Sequence, residues 1–211
     1  MGQYYVIANV DKKEFLHPHR YGSGMKLMEW SYENNYLVNT MLNLMKNKWK
    51  GDRVYVIGDY ADLTIYGDHD LQWHDTLEKL EREFGVHDGD YDNYPDSYSL
   101  HALAESTFKH IGKAKTRAEK TNVRYLYNHA KKQVVDLEDC NADKWGYTIA
   151  PISLLLAMGN DRGGGDFHEG CRGYEHVGEW VSTSSSIEVS AKPLPGCEDY
   201  EKFVPGFYEG L

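Results

Sequence analysis

The feature that most constrains this chain's fold is a short motif that occurs twice. Asn9-Val10-Asp11-Lys12-Lys13-Glu14-Phe15-Leu16 is matched by Asn128-His129-Ala130-Lys131-Lys132-Gln133-Val134-Val135, at an offset of 119 residues. In each copy β-rich residues flank a polar turn, which predicts strand–turn–strand: Tyr4 to Val10 and Glu14 to His17 in the first, Arg124 to Leu137 in the second. An apolar helix is expected after each hairpin. Tyr36 to Lys48 carries apolar residues at 37, 38, 41, 42, 44 and 45, and Pro151 to Met158 opens on a proline suited to a first helical turn. A tryptophan beside Gly-Asp or Gly-Glu follows (Trp49, Trp180), then a further strand, Arg53 to Ile57 or Ser186 to Ser190. A hairpin–helix–strand unit buries one sheet face under one helix. Two such units are expected to pair about a pseudo-twofold axis into one sheet, giving a single α+β domain.

Charge marks what lies between them. The net charge is −10, and residues 59–96 alone hold 12 acidic side chains against Lys79 and Arg82. The expected organisation is a first α+β half over 1–61, an acidic helical insertion over 62–122, a second α+β half over 123–193 and a C-terminal tail over 194–211, packed on the surface or loosely ordered. Within the insertion, helices are expected over Leu71 to Phe84 and Leu100 to Lys120, with a short strand at Tyr147 to Ala150 beyond it.

An acidic chain repels a phosphate backbone, which argues against duplex nucleic acid as a partner. Its acidic stretch would instead suit a basic surface on a host protein. No apolar run reaches the roughly 20 residues that a membrane helix needs, and MGQYYVIANVDKK turns charged too early for a signal peptide. Cys140, Cys171 and Cys197 are odd in number and follow no motif spacing, which favours a reducing, cytoplasmic setting. Seventeen tyrosines and five tryptophans point to a surface that is both adhesive and wet.

Three loops carry chemistry. Arg162-Gly163-Gly164-Gly165-Asp166 pairs a guanidinium clamp with bare backbone that can approach an anion, and Asp166 could accept from a ribose hydroxyl. It has neither the lysine nor the spacing of a phosphate-binding loop motif. His17-Pro18-His19-Arg20-Tyr21-Gly22-Ser23-Gly24-Met25-Lys26 gathers two imidazoles, a guanidinium and an ammonium, so His17, His19, Arg20 and Lys26 are candidate anion ligands. Gly58-Asp59-Tyr60-Ala61-Asp62 follows a strand, where Asp59 and Tyr60 would meet a ligand's sugar. Metal patterns are poor: Asp88, Asp90 and Asp92 start a calcium-like spacing without its glycine or terminal glutamate, and His168, Cys171 and His176 lack a fourth ligand. No cofactor or metal is expected, and no nucleophile motif points to covalent catalysis.

The blocks MGQYYVIANVDKKEF, GMKLMEW, KGDRVYVIGDYAD and GNDRGGGD resemble a group of small bacteriophage and bacterial proteins that open on Met-Gly-Gln-Tyr. The resemblance covers both β-rich halves and little of 62–122, and it implies a phage or bacterial cytosolic setting without an activity. The chain departs from it after Trp180, where Val-Ser-Thr-Ser-Ser-Ser replaces the usual Gly-Asp-Arg.

The expected function is binding and sequestration of a small nucleotide-like anion, as in a phage sponge for a host immune signal. The alternatives are an acidic inhibitor that occupies a basic host surface, and an enzyme on nucleotides or ADP-ribose linkages with Asp59, Asp166 or Glu29 as acid or base. A closed homo-oligomer would suit either binding reading.

Overall fold

The computed structural model describes residues 2–61, 74–85, 99–112, 121–140, 148–159, 167 and 170–207. The first hairpin is β1 (Tyr5–Asn9) and β2 (Glu14–Leu16), followed by a short 3-10 turn (Pro18–Tyr21), α1 (Leu27–Trp30), α2 (Tyr36–Lys46) and β3 (Val54–Gly58). The insertion supplies α3 (His74–Phe84), α4 (Leu100–Thr107) and β4 (Lys109–His110). The second hairpin is β5 (Tyr125–Asn128) and β6 (Gln133–Asp136), then α5 (Pro151–Leu155), β7 (Ala157–Met158), β8 (Ile187–Ser190) and β9 (Glu201–Lys202). The fold is α+β.

The repeat is legible in the register. Ala8 opposes Phe15 and Tyr55, and at the matching positions Tyr127 opposes Val134 and Glu188. Asn9 accepts from the Lys12 N–H at 2.9 Å, and Asn128 accepts from the Lys131 N–H at 3.1 Å. These buried asparagines close the turns, and Lys13 and Lys132 complete them in the left-handed region at φ 51° and 53°. The tryptophans do equivalent work: Trp49 Nε1 donates to Glu14 and Trp180 Nε1 to Gln133, each at 2.9 Å.

The two units do not share a sheet, contrary to expectation. The first lies in a five-stranded sheet of order β4-β2-β1-β3-β7, the second in a four-stranded sheet of order β8-β5-β6-β9. Besides the β3–β7 pairing, they are joined by an isolated antiparallel bridge, Tyr32 to Ile149, and by one apolar core that takes Ile7 and Leu16 from one sheet, Leu126 and Val189 from the other, and residues of α2 and α5. The strand edges that a shared sheet would need are spent elsewhere. β3 pairs with β7, and β2 with β4, both in parallel.

Two further expectations are corrected, and the tail is given a definite place. The apolar run 151–158 splits after Leu155, because the Leu156 carbonyl accepts from the Val56 N–H and draws Ala157–Met158 onto the open edge of β3. The helix from Leu100 ends at Thr107, where Ser106 and Thr107 hydroxyls bond back to the carbonyls of Ala102 and Leu103 and β4 begins. The tail is tied down by β9, which pairs with β6. The helix expected from Leu71 is described from His74 on.

α3 and α4 cover the far face of the first sheet, where Leu77, Leu80, Leu100 and Ala104 pack on Val6, Ala8, Phe15 and Ile57. That sheet is therefore buried on both faces, which leaves its strand ends as the route to a ligand.

Candidate functional site

In the five-stranded sheet β2, β3, β4 and β7 run parallel to one another and only β1 runs against them. Their carboxyl ends therefore meet at one end of the sheet. His17 follows β2, Asp59 follows β3, His110 ends β4 and Gly159 follows β7. Crevices at the carboxyl ends of parallel strands are where open α/β sheets hold ligands.

The glycines there are required by close approach. A Cβ at Gly58 would sit 2.3 Å from Gln3 Oε1, and one at Gly159 would sit 2.2 Å from the Tyr5 hydroxyl. Side-chain-free backbone at both positions lets the start of β1 fold over the ends of β3 and β7. The Tyr4 N–H donates to Asp59 Oδ1 at 2.9 Å, and the Asp59 N–H donates to the Tyr4 carbonyl at 2.9 Å. Burial raises the Asp59 carboxyl above its ordinary range, against the N–H groups of Tyr4, Asp59 and Tyr60 that favour its charge, and the Glu105 carboxylate adds to the rise.

On the β2 side the 3-10 turn, opened by Pro18, sets His17, His19 and Arg20 within one turn of chain. The His19 N–H donates to His17 Nδ1 at 3.3 Å, which leaves the proton of a neutral His17 on Nε2. That Nε2 faces Glu105 Oε1 at 3.3 Å, and the other oxygen of Glu105 lies 3.6 Å from His101 Nδ1. The His17 and His19 rings are 5.1 Å apart. Burial and the positive charges of His19 and Arg20 hold His17 below its ordinary pKa, and burial together with Arg20 and His17 does the same to His110. His101 is pushed down to about 4 by burial and by His17. Glu105 is raised by burial.

The result is a crowded group of imidazoles beside a guanidinium, with His17, His101 and His110 held below their ordinary pKa. Arg20 is exposed and has no carboxylate partner among the described residues. An anion placed there would relieve the mutual repulsion of these groups. Lys26 is brought to the same end because the Tyr5 N–H donates to the Met25 carbonyl at 2.8 Å. Its own N–H donates to Glu29, which occupies Glu29 as the cap of α1.

The structure thus brings together His17, His19, Arg20, Lys26, Asp59 and Tyr60 of the sequence-based candidates. Arg162, Gly163, Gly164, Gly165 and Asp166 lie outside the described residues, although Gly159, where their loop starts, stands beside Gly58. Most of the acidic stretch 59–96 lies outside them too, as do Asp88, Asp90, Asp92 and His168. Among the described residues no three His, Cys, Asp or Glu side chains are placed to hold a metal ion, and no helix is long and apolar enough to cross a membrane. His101, Glu105 and His110 were not expected. The only sequence signal for them is their polarity within the apolar pattern of the insertion.

The matching end of the four-stranded sheet is closed by its own charges. Arg124 pairs with Asp136 at 2.8 Å and with Glu138 at 2.6 Å, and Lys202 with Asp139 at 2.6 Å. Comparison with known proteins found no matching family model, no matching curated protein and no matching solved structure.

Proposed function

We propose that this chain binds a small nucleotide-like anion at the carboxyl end of its five-stranded sheet and sequesters it. In a phage setting it would act as a cytoplasmic sponge for a host signal. The observation that carries the reading is the contrast between the two repeat units: one strand end is occupied by ion pairs, whereas the other gathers His17, His19 and Arg20 beside Asp59, with no carboxylate paired to the guanidinium among the described residues. In this reading Arg20, His19 and Lys26 hold phosphate, Asp59 takes a sugar hydroxyl, and Arg162, on its sequence alone, is a further phosphate ligand.

A thermal-shift screen against nucleotides, cyclic dinucleotides and ADP-ribose derivatives tests it, with each ligand recovered by chromatography. A ligand at ~100 times its dissociation constant adds about 2.7 kcal/mol of stability. Arg20→Ala is expected to lose that shift while melting normally without ligand. An intact Arg20→Ala response, or no response from any anion, overturns the reading.

A second reading, turnover of the same ligand, is favoured by Glu105, which stands between His17 and His101 in the manner of a proton-handling group. Recovery of a changed ligand that Glu105→Gln leaves unchanged would establish it in place of sequestration.

A further inference from the structure

We propose that the seam between the two repeat units holds a second ligand site, for a small organic ammonium ion. A cavity of about 100 Å³ lies there, between the start of α2 and the segment that leads into β5 and α5. Its walls are apolar: Val38, Leu42, Val123, Leu137, Pro151 and Ile152. By the measure that gives one water roughly 10–15 Å³, it takes on the order of seven non-hydrogen atoms.

Glu33, Asn34, Asn39 and Thr121 interrupt the apolar lining. Glu33 Oε1 is buried with no hydrogen-bond partner among the described residues. Asn39, only 4% exposed, lines the same space. A buried carboxylate oxygen without a partner is costly. The chain nevertheless builds Glu33 and Asn39 into one cavity and holds the backbone around them firmly. The Glu33 N–H donates to the Thr148 carbonyl at 2.8 Å, Asn34 follows in the left-handed region at φ 64°, and Asn35 caps α2 through the Leu37 N–H.

Charge selects the ligand. Burial raises the Glu33 carboxyl, and the thiol of Cys140 is pushed up to about 12, first by burial and then by the carboxylates of Glu33, Asp139 and Asp136. Arg124 and Lys202 are committed to Asp136, Glu138 and Asp139, and the Lys46 ammonium donates to Asn122. Glu33, among the residues that line the space, has no cationic partner among the described residues. A short alkyl chain would fill the space, its ammonium would donate to Glu33, and Asn39 would accept a second N–H.

Titration with isoamylammonium, followed by calorimetry, tests this, with isoamyl alcohol as the neutral match in size. The ammonium is expected to bind and the alcohol to bind at least about tenfold more weakly, since a hydrogen bond to a charged group contributes roughly 1.5–3 kcal/mol. Glu33→Gln should lose that preference, and Val38→Phe, which fills the cavity, should lose both ligands. Should Glu33→Gln fail to fold, Asn39→Leu is expected to weaken the ammonium selectively. Equal binding of amine and alcohol to the wild type, no binding of the amine, or an unchanged affinity in a folded Glu33→Gln or Asn39→Leu variant overturns the proposal. The site shares no residue with the carboxyl end of the first sheet, so nucleotide-induced stabilisation in Glu33→Gln is expected to match the wild type.

Discussion

At the residue scale the most consequential group is His101. It is 5% exposed, its Nε2 has no partner among the described residues, and its imidazole is held neutral down to about pH 4. An unfolded chain would protonate the same ring near its ordinary value of about 6.5. As pH falls from 7 the unfolded state therefore binds a proton that the folded state refuses, and stability drops until the folded pKa is reached. A gap of this size is worth about 3 kcal/mol. Urea unfolding at pH 7 and pH 4 should show the wild type losing about that much more than His101→Phe over the interval. Equal losses in the two proteins would mean that His101 takes its proton in the folded state. The same residue shows why part of the site is hidden in sequence. Nothing in Leu100-His101-Ala102-Leu103-Ala104-Glu105 marks His101 and Glu105 as meeting His17, because that meeting is created by α4 lying across β2.

At the scale of elements the two hairpins are near copies, and both end their turns on a lysine that a β-carbon disfavours. Left-handed backbone costs an L-residue roughly 1–2 kcal/mol, part of which glycine returns through its greater freedom when unfolded. Lys132→Gly is expected to stabilise the protein by about 0.5–1 kcal/mol, because the pair it gives up, Lys132 with Asp199 at 3.9 Å, is highly exposed. Lys13→Gly should gain less, since Lys13 also sits over the Phe84 ring, 5.8 Å from its centroid. Thermal or urea midpoints check both, and a loss of stability in Lys132→Gly would show that the turn relies on the side chain. Such turns are legible in sequence because their chemistry is local. β4, β7 and β9 are not: two residues carry no period, and each is a strand only because a longer neighbour offers it an edge.

At the scale of the whole molecule, the sequence repeat identifies two units but not how they are joined. A pairing of units is decided by which edges are already taken, and β7 takes the edge of β3. Beyond that pairing and the Tyr32–Ile149 bridge, the units meet through side chains. Trp30 and Trp49 from one and Trp180 from the other are fully buried in the same apolar core as Leu126 and Ile7. Neither half can expose its inner face without exposing the other's. Urea unfolding followed by far-ultraviolet circular dichroism and by tryptophan fluorescence should give one coincident transition. Two separated transitions would show that the halves are independent. The candidate site was legible as far as its loops, since histidines, arginine and glycines cluster locally at 17–26 and 58–60. The convergence of those loops depends on two parallel pairings, β2 with β4 and β3 with β7, that no local pattern encodes.

β1 is paired along both edges and covered on both faces, and all five of its residues are buried. For its amides, exchange with solvent requires the molecule to come apart, so its clock is that of global unfolding rather than of local breathing. Tyr4 and Asp59, which meet at the end of this strand, stand on the slowest-moving part of the protein. A ligand bound beside them would meet a floor that is set before it arrives, and selection there would be by fit to a fixed shape.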